Sequence, residues 1–121
     1  MSISDELERC KPWIEDALEY SGGTHSFDDV VRGISSSDYQ FWPAENGCLI
    51  TEVVGYPRAK KVHVFLAGGE LDQFKKMEES LMEWAKLVGA SSVTLAGRVG
   101  WVKLLKPYKF KHLHSVLERK I

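Results

Sequence analysis

From Leu7 to Leu18 the apolar residues Leu7, Cys10, Ile14, Ala17 and Leu18 recur at helical spacing and predict a first helix. Pro12 either begins a second helical piece or kinks one long one, and Gly22-Gly23 ends it. Ser26 followed by Asp29 is a capping-box start, and Phe27, Val30, Val31 and Ile34 form the apolar face of a short second helix that stops near 35–37. The period then shortens to two. YQFWP, CLITEVV and KVHVFLA are runs rich in β-branched and aromatic residues, separated by the turn sequences AENG and GYPRAK, and they predict an antiparallel meander.

After Gly69 the period lengthens again. Leu71, Phe74, Met77, Leu81, Trp84, Ala85 and Val88 share one face of a long helix over about 70–88, with Gly89 as its C-cap. SVTLAG predicts a short buried strand, GWVKLLKPY a short helix broken at Pro107, and KHLHSVLER a final alternating strand. The strands Val62 to Ala67 and Val93 to Ala96 flank the long helix. They should therefore be parallel, joined by a right-handed crossover, in a sheet that is otherwise antiparallel. The expected class is α/β in the α+β sense, with the element order α-α-β-β-β-α-β-α-β.

A chain of 121 residues, 44% hydrophobic and 27% charged, fits a single soluble domain over 1–121. A formal net charge of −1 lacks the basic stripe that nucleic acid requires, which points away from such a partner. Cys10 and Cys48 show no CxxC spacing, and MSISDELERC has no apolar leader, so a cytoplasmic protein with reduced thiols is expected. No apolar run approaches the ~18 residues of a membrane span. His112 and His114 fall on one strand face and His25 is a third imidazole, but no Cys, Asp or Glu completes a ligand spacing, so no metal is expected.

Two positions raise questions of function. In VHVFLAGGELDQF, Gly68 and Gly69 join strand to helix, where backbone N–H groups and the helix dipole favour an anion; Glu70 and Asp72 in the first turn would repel one. Neither GxGxxG nor GxxxxGK[ST] is present, and both a turn and a ligand loop remain open. Trp42, on the strand face opposite Tyr39 and Phe41, would mark a protein interface if exposed beside Pro43. Arg98, Lys103, Lys106, Lys109 and Lys111 form a local basic patch suited to phosphates or a partner, or simply a solvated face.

The element order resembles the GNAT (GCN5-related N-acetyltransferase) fold over roughly residues 5 to 118. The wording of FLAGGELDQF, AGRVGW and KLLKPYKFKHLH is similar to the small GNAT-like proteins of tailed bacteriophages and prophages. The resemblance implies a mixed, mostly antiparallel sheet with one parallel βαβ pair and helices on both faces, reduced at both ends. It implies acetyl-CoA as substrate, held where the two parallel strands splay, by Leu66, Ala67, Gly68 and Gly69 with help from Arg98 and Lys103. It also implies a general base near the splay to deprotonate an amine, and Glu52 and His63, mid-strand on adjacent predicted strands, are the candidates. The family's Q/R-x-x-G-x-G/A loop is shortened to AGGELDQF, Leu105 takes the place of its general-acid tyrosine, and Arg98 stands where an asparagine is common. Weak or absent N-acyltransfer is therefore one expectation. An inactive structural or adaptor component with a protein partner, self-associating or located in the virion, is the other.

Overall fold

The computed structural model describes residues 2–70, 72–97 and 101–121. Helix α1 runs from Ile3 to Leu18, capped by the Ser2 hydroxyl, which accepts from the Asp5 N–H at 3.2 Å. Pro12 lies inside it without ending it, on the exposed side. Helix α2, Phe27–Ser35, has the full capping box: Ser26 Oγ accepts from the Asp29 N–H, and the Asp29 carboxylate accepts from the Ser26 N–H at 2.9 Å. That backbone bond, then the Ser26 hydroxyl and the Arg32 guanidinium, hold the Asp29 carboxyl below its ordinary range.

Strands β1 (Tyr39–Ala44), β2 (Gly47–Gly55) and β3 (Lys60–Gly69) form the expected meander. Helix α3, Asp72–Leu87, then leads to β4, Ser92–Leu95. The sheet order is β1-β2-β3-β4, and β3 and β4 are parallel, with Val62 opposite Val93 and Val64 opposite Leu95. The Glu70 N–H, ahead of α3, donates to the Asn46 carbonyl at 2.9 Å. Gly89, at φ +81°, closes the far end, where Lys60 Nζ also donates to the Val88 carbonyl.

Each face of the sheet carries its own core. On one side Leu7, Cys10, Ile14 and Leu18 of α1 and Val30 of α2 pack on Cys48, Ile50 and Leu66. On the other, Phe74, Leu81 and Ala85 of α3 pack on Leu49, Val62 and Val64, with Leu105 from the end of the short helix α4, Trp101–Leu104. Both cysteines are free and buried, and burial pushes both thiols above their ordinary range.

Two expectations are corrected. Trp42 is half-buried against the second core, donating to Thr51 Oγ1 at 3.0 Å and meeting Trp84 edge-on at 5.7 Å, so it is not an exposed interface residue. The strand expected at KHLHSVLER does not form. Residues 111–121 are exposed and outside the sheet, because alternation alone supplies no ladder of hydrogen bonds and the chain leaves its own β4 edge unpaired. Between them, α4 ends before a 3-10 turn, Lys106–Tyr108, with Pro107 within it. Leu71, expected on the buried face of α3, lies outside the described residues.

Candidate functional site

The site begins with an extra residue in β3. Ile50 pairs with Leu66 but Thr51 pairs with Val64, so Phe65 is a bulge, and its side chain joins Leu66 on the α1 face. The last bond between the parallel strands is Ala96 N–H to the Val64 carbonyl at 3.2 Å. From Phe65 to Gly69, β3 keeps β2 on one side after its pairing with β4 has ended. The outer backbone edge of Leu66, Ala67, Gly68 and Gly69 thus lies beyond the end of the β3–β4 pairing.

The space a side chain would take at either glycine is filled by the protein. A Cβ on Gly68 would lie 2.7 Å from the Trp13 carbonyl oxygen, and one on Gly69, at φ +92°, would lie 2.3 Å from the Asn46 carbonyl oxygen. Arg9 holds this corner together, donating to the Ala44 and Glu45 carbonyls at 2.7 and 2.8 Å. Gln73, almost fully buried, accepts the Asn46 N–H through Oε1, and its own N–H goes to the Glu70 carbonyl. The N–H groups of Glu70 and Gln73 are therefore used inside the chain, and Asp72 occupies the first turn of α3. These residues do not fit a pyrophosphate.

Downstream, Phe74 is met edge-on by Tyr108 at 5.2 Å and by Phe110 at 5.8 Å, which ties the chain after α4 to the start of α3. Leu105 is buried in the same cluster. Lys103 is exposed, and Arg98 lies outside the described residues.

Glu52 and His63 are brought together: they face each other across β2 and β3, on the face that carries α1 and α2. The row extends in register across all four strands as Tyr39, Glu52, His63 and Thr94. His63 Nδ1 lies 2.7 Å from Thr94 Oγ1, and both His63 and Glu52 are half-buried. Beside the row, His25 from the α1–α2 connection lies 3.3 Å from the Tyr39 hydroxyl and packs on Phe65 at 5.7 Å. Burial, with Glu52 second, pushes the Tyr39 phenol up. Tyr39, Thr94 and His25 were not read from the sequence as site residues. For Thr94 the legible signal was its alternation against Val93 and Leu95, but the register that sets it opposite His63 was not legible.

Burial pushes the His63 imidazole below its ordinary value of 6.5, and Glu52 pulls it back up. The fold favours neutral His63, a state able to accept a proton. As pH falls through about 6.5, the unfolded chain binds a proton that the folded chain resists, so stability present above that pH is lost below it. Urea midpoints measured at about pH 7.5 and 5.5 should fall more in the wild type than in His63→Gln. Equal falls would remove His63 as the source.

No protein-family model matches the sequence, and neither does any curated protein. Solved structures do match it. A transcriptional regulator from Bacillus halodurans superposes with a TM-score of 0.71 at 12% identity, covering 100% of this chain and 96% of that one. Glucosamine-6-phosphate N-acetyltransferase from Arabidopsis thaliana gives 0.65 at 17% identity, with 99% and 94% covered. An acetyltransferase from Trypanosoma brucei gives 0.62 at 10%, with 80% and 81% covered. The fold is GNAT-like. Identities this low speak for the fold alone, and activity must be argued from the site. Among the described residues, no group of three His, Cys, Asp or Glu side chains could hold a metal, and no helix is long and apolar enough to cross a membrane.

Proposed function

We propose that this chain is an acetyltransferase-like protein of phage or prophage origin, with a degenerate acyl-CoA site and weak or absent N-acyltransfer activity. The observation that carries the reading is that the N–H groups of Glu70 and Gln73, just after the glycine pair, are spent on the Asn46 and Glu70 carbonyls where a nucleotide pyrophosphate would need open donors. Each lost charge-assisted hydrogen bond is worth about 1.5–3 kcal/mol, and about 1.4 kcal/mol is tenfold in affinity, so two or three such losses move a micromolar site to the millimolar range. The outer edge of Leu66 to Gly69 is where a pantetheine arm would still bind, and acetyl-CoA is the substrate implied. Lys103, exposed at α4, is the proposed phosphate contact on that side, with Arg98 from the resemblance. The phage origin rests on the wording of FLAGGELDQF, AGRVGW and KLLKPYKFKHLH, which also suggests the host cytoplasm or the virion as its place.

His63 is the proposed base for residual transfer, with Glu52 beside it and Nδ1 turned to Thr94, which leaves Nε2 to take the amine proton. Calorimetric titration with acetyl-CoA tests the main reading. No saturation below about 1 mM is expected, whereas a dissociation constant near 1 μM would restore a competent enzyme. If transfer is detected, His63→Gln should lower it roughly 100-fold.

A second reading, a binding or adaptor component, is favoured by the apolar and basic side chains exposed along 111–121.

A further inference from the structure

Past the row of Tyr39, Glu52, His63 and Thr94, the α1–α2 side of the sheet carries a second row of side chains. Strand alternation sets Val54 opposite Lys61 and Lys61 opposite Ser92 on that same face. The core under α1 and α2 reaches Tyr39 and Phe65, where His25 packs on Phe65 at 5.7 Å. Val54, apolar and half-buried, belongs to neither core, and Ser92 is exposed. The two rows together form a shelf open to solvent beside the helices.

The shelf holds one carboxylate, Glu52, and one ammonium, Lys61, both on half-buried residues. They are diagonal neighbours, a placement that sets residues about 7–8 Å apart, and no ion pair joins them among the described residues. The Glu52 carboxylate has no hydrogen bond there either, and the Lys61 ammonium meets the Tyr56 ring at 6.0 Å and no acid. Two partly desolvated charges of opposite sign, unpaired and held at a set separation, suit a ligand that carries the complementary pair. A ligand with a single charge meets one of them. An ammonium and a carboxylate a few bonds apart meet both.

We infer that this shelf binds a small amino acid, its ammonium against Glu52 and its carboxylate against Lys61. The orientation sets the amine beside His63, which faces Glu52 across β2 and β3. That is where a molecule due to lose a proton to His63 must sit. The role of acyl acceptor rests on the reading above; the binding itself does not depend on acyl-CoA.

Amide chemical-shift titration of the full chain, without acyl-CoA, tests it. β-Alanine and γ-aminobutyrate should shift the amides of Glu52, Lys61, His63 and Ser92 and saturate with a dissociation constant of about 1–5 mM. Propylamine and propionate, each bearing one charge, should bind roughly tenfold more weakly or less. Glu52→Gln and Lys61→Met should each weaken binding about tenfold, with melting curves close to that of the wild type because neither side chain belongs to a core. Glu52→Lys combined with Lys61→Glu should bind again, with the ligand reversed. No saturation up to about 20 mM overturns the inference, as does propylamine binding as tightly as β-alanine, or binding indifferent to both substitutions. A shelf that binds amino acid in a chain that transfers no acyl group overturns the acceptor role and upholds the site.

Discussion

Gly69→Ala is expected to destabilise the protein by about 3–5 kcal/mol, lowering the melting temperature by roughly 10–25 °C. Two costs add. At φ +92° any side chain is strained, and the new Cβ would lie 2.3 Å from the Asn46 carbonyl oxygen and 2.4 Å from Gly47 Cα, both backbone atoms that cannot turn aside. Gly23 separates the two terms: at φ +74° it has nothing within 4 Å of a Cβ, so Gly23→Ala carries the strain alone and should cost only about 1 kcal/mol. Denaturant unfolding of both variants gives the comparison. A Gly69→Ala variant as stable as Gly23→Ala would mean that the corner is open, and the ligand-loop reading of the glycine pair would return.

Truncation in the second core is the other large effect. Leu81 is fully buried and Phe74 is 3% exposed, both packed between α3 and the β2–β3 face. Leu81→Ala and Phe74→Ala should each cost about 3–5 kcal/mol through lost burial and a cavity that neighbours fill only in part. Phe74→Ala also removes the ring that Tyr108 and Phe110 meet edge-on, so it should loosen the segment after α4. Trp84, half-buried against Trp42, belongs to the same face and should sit at the lower end, about 2 kcal/mol. Leu87→Ala, at a side chain 84% exposed on the same helix, is the control and should change little. Melting temperatures left unchanged in Leu81→Ala and Phe74→Ala would show the helix faces to be misassigned.

Local chemistry was legible along most of the chain. The capping box at Ser26, the glycine end of α3 at Gly89 and the alternation of β2 and β3 each depend on residues within one or two turns of one another, and the chain forms them as read. The parallel pairing of β3 with β4 was legible for a related reason, since a strand, a helix and a strand joined by short connections leave one favoured handedness. Where the argument needed a partner that sequence order does not supply, it failed. The alternation of KHLHSVLER promised a strand, yet a strand exists only with a neighbour to bond, and among the described residues none pairs with this segment. Whether Trp42 is exposed was open in the sequence because nothing in YQFWP reveals Trp84, which meets it from a helix distant along the chain.

By itself the sequence determined the element order as far as the short helix α4, the two apolar faces and the two residues of β2 and β3, Glu52 and His63, that carry titratable groups mid-strand. Tertiary structure alone decided the rest. A one-residue bulge at Phe65 and the register of four strands set Thr94 against His63 and Tyr39 against Glu52, and no spacing along the chain encodes such a cross-strand row. Likewise, AGG at a strand end is compatible with a ligand loop or a turn, because glycine permits both. Only the tertiary structure shows the close approach of Trp13 and Asn46, two residues distant in sequence whose backbone atoms leave no room for a Cβ at Gly68 or Gly69.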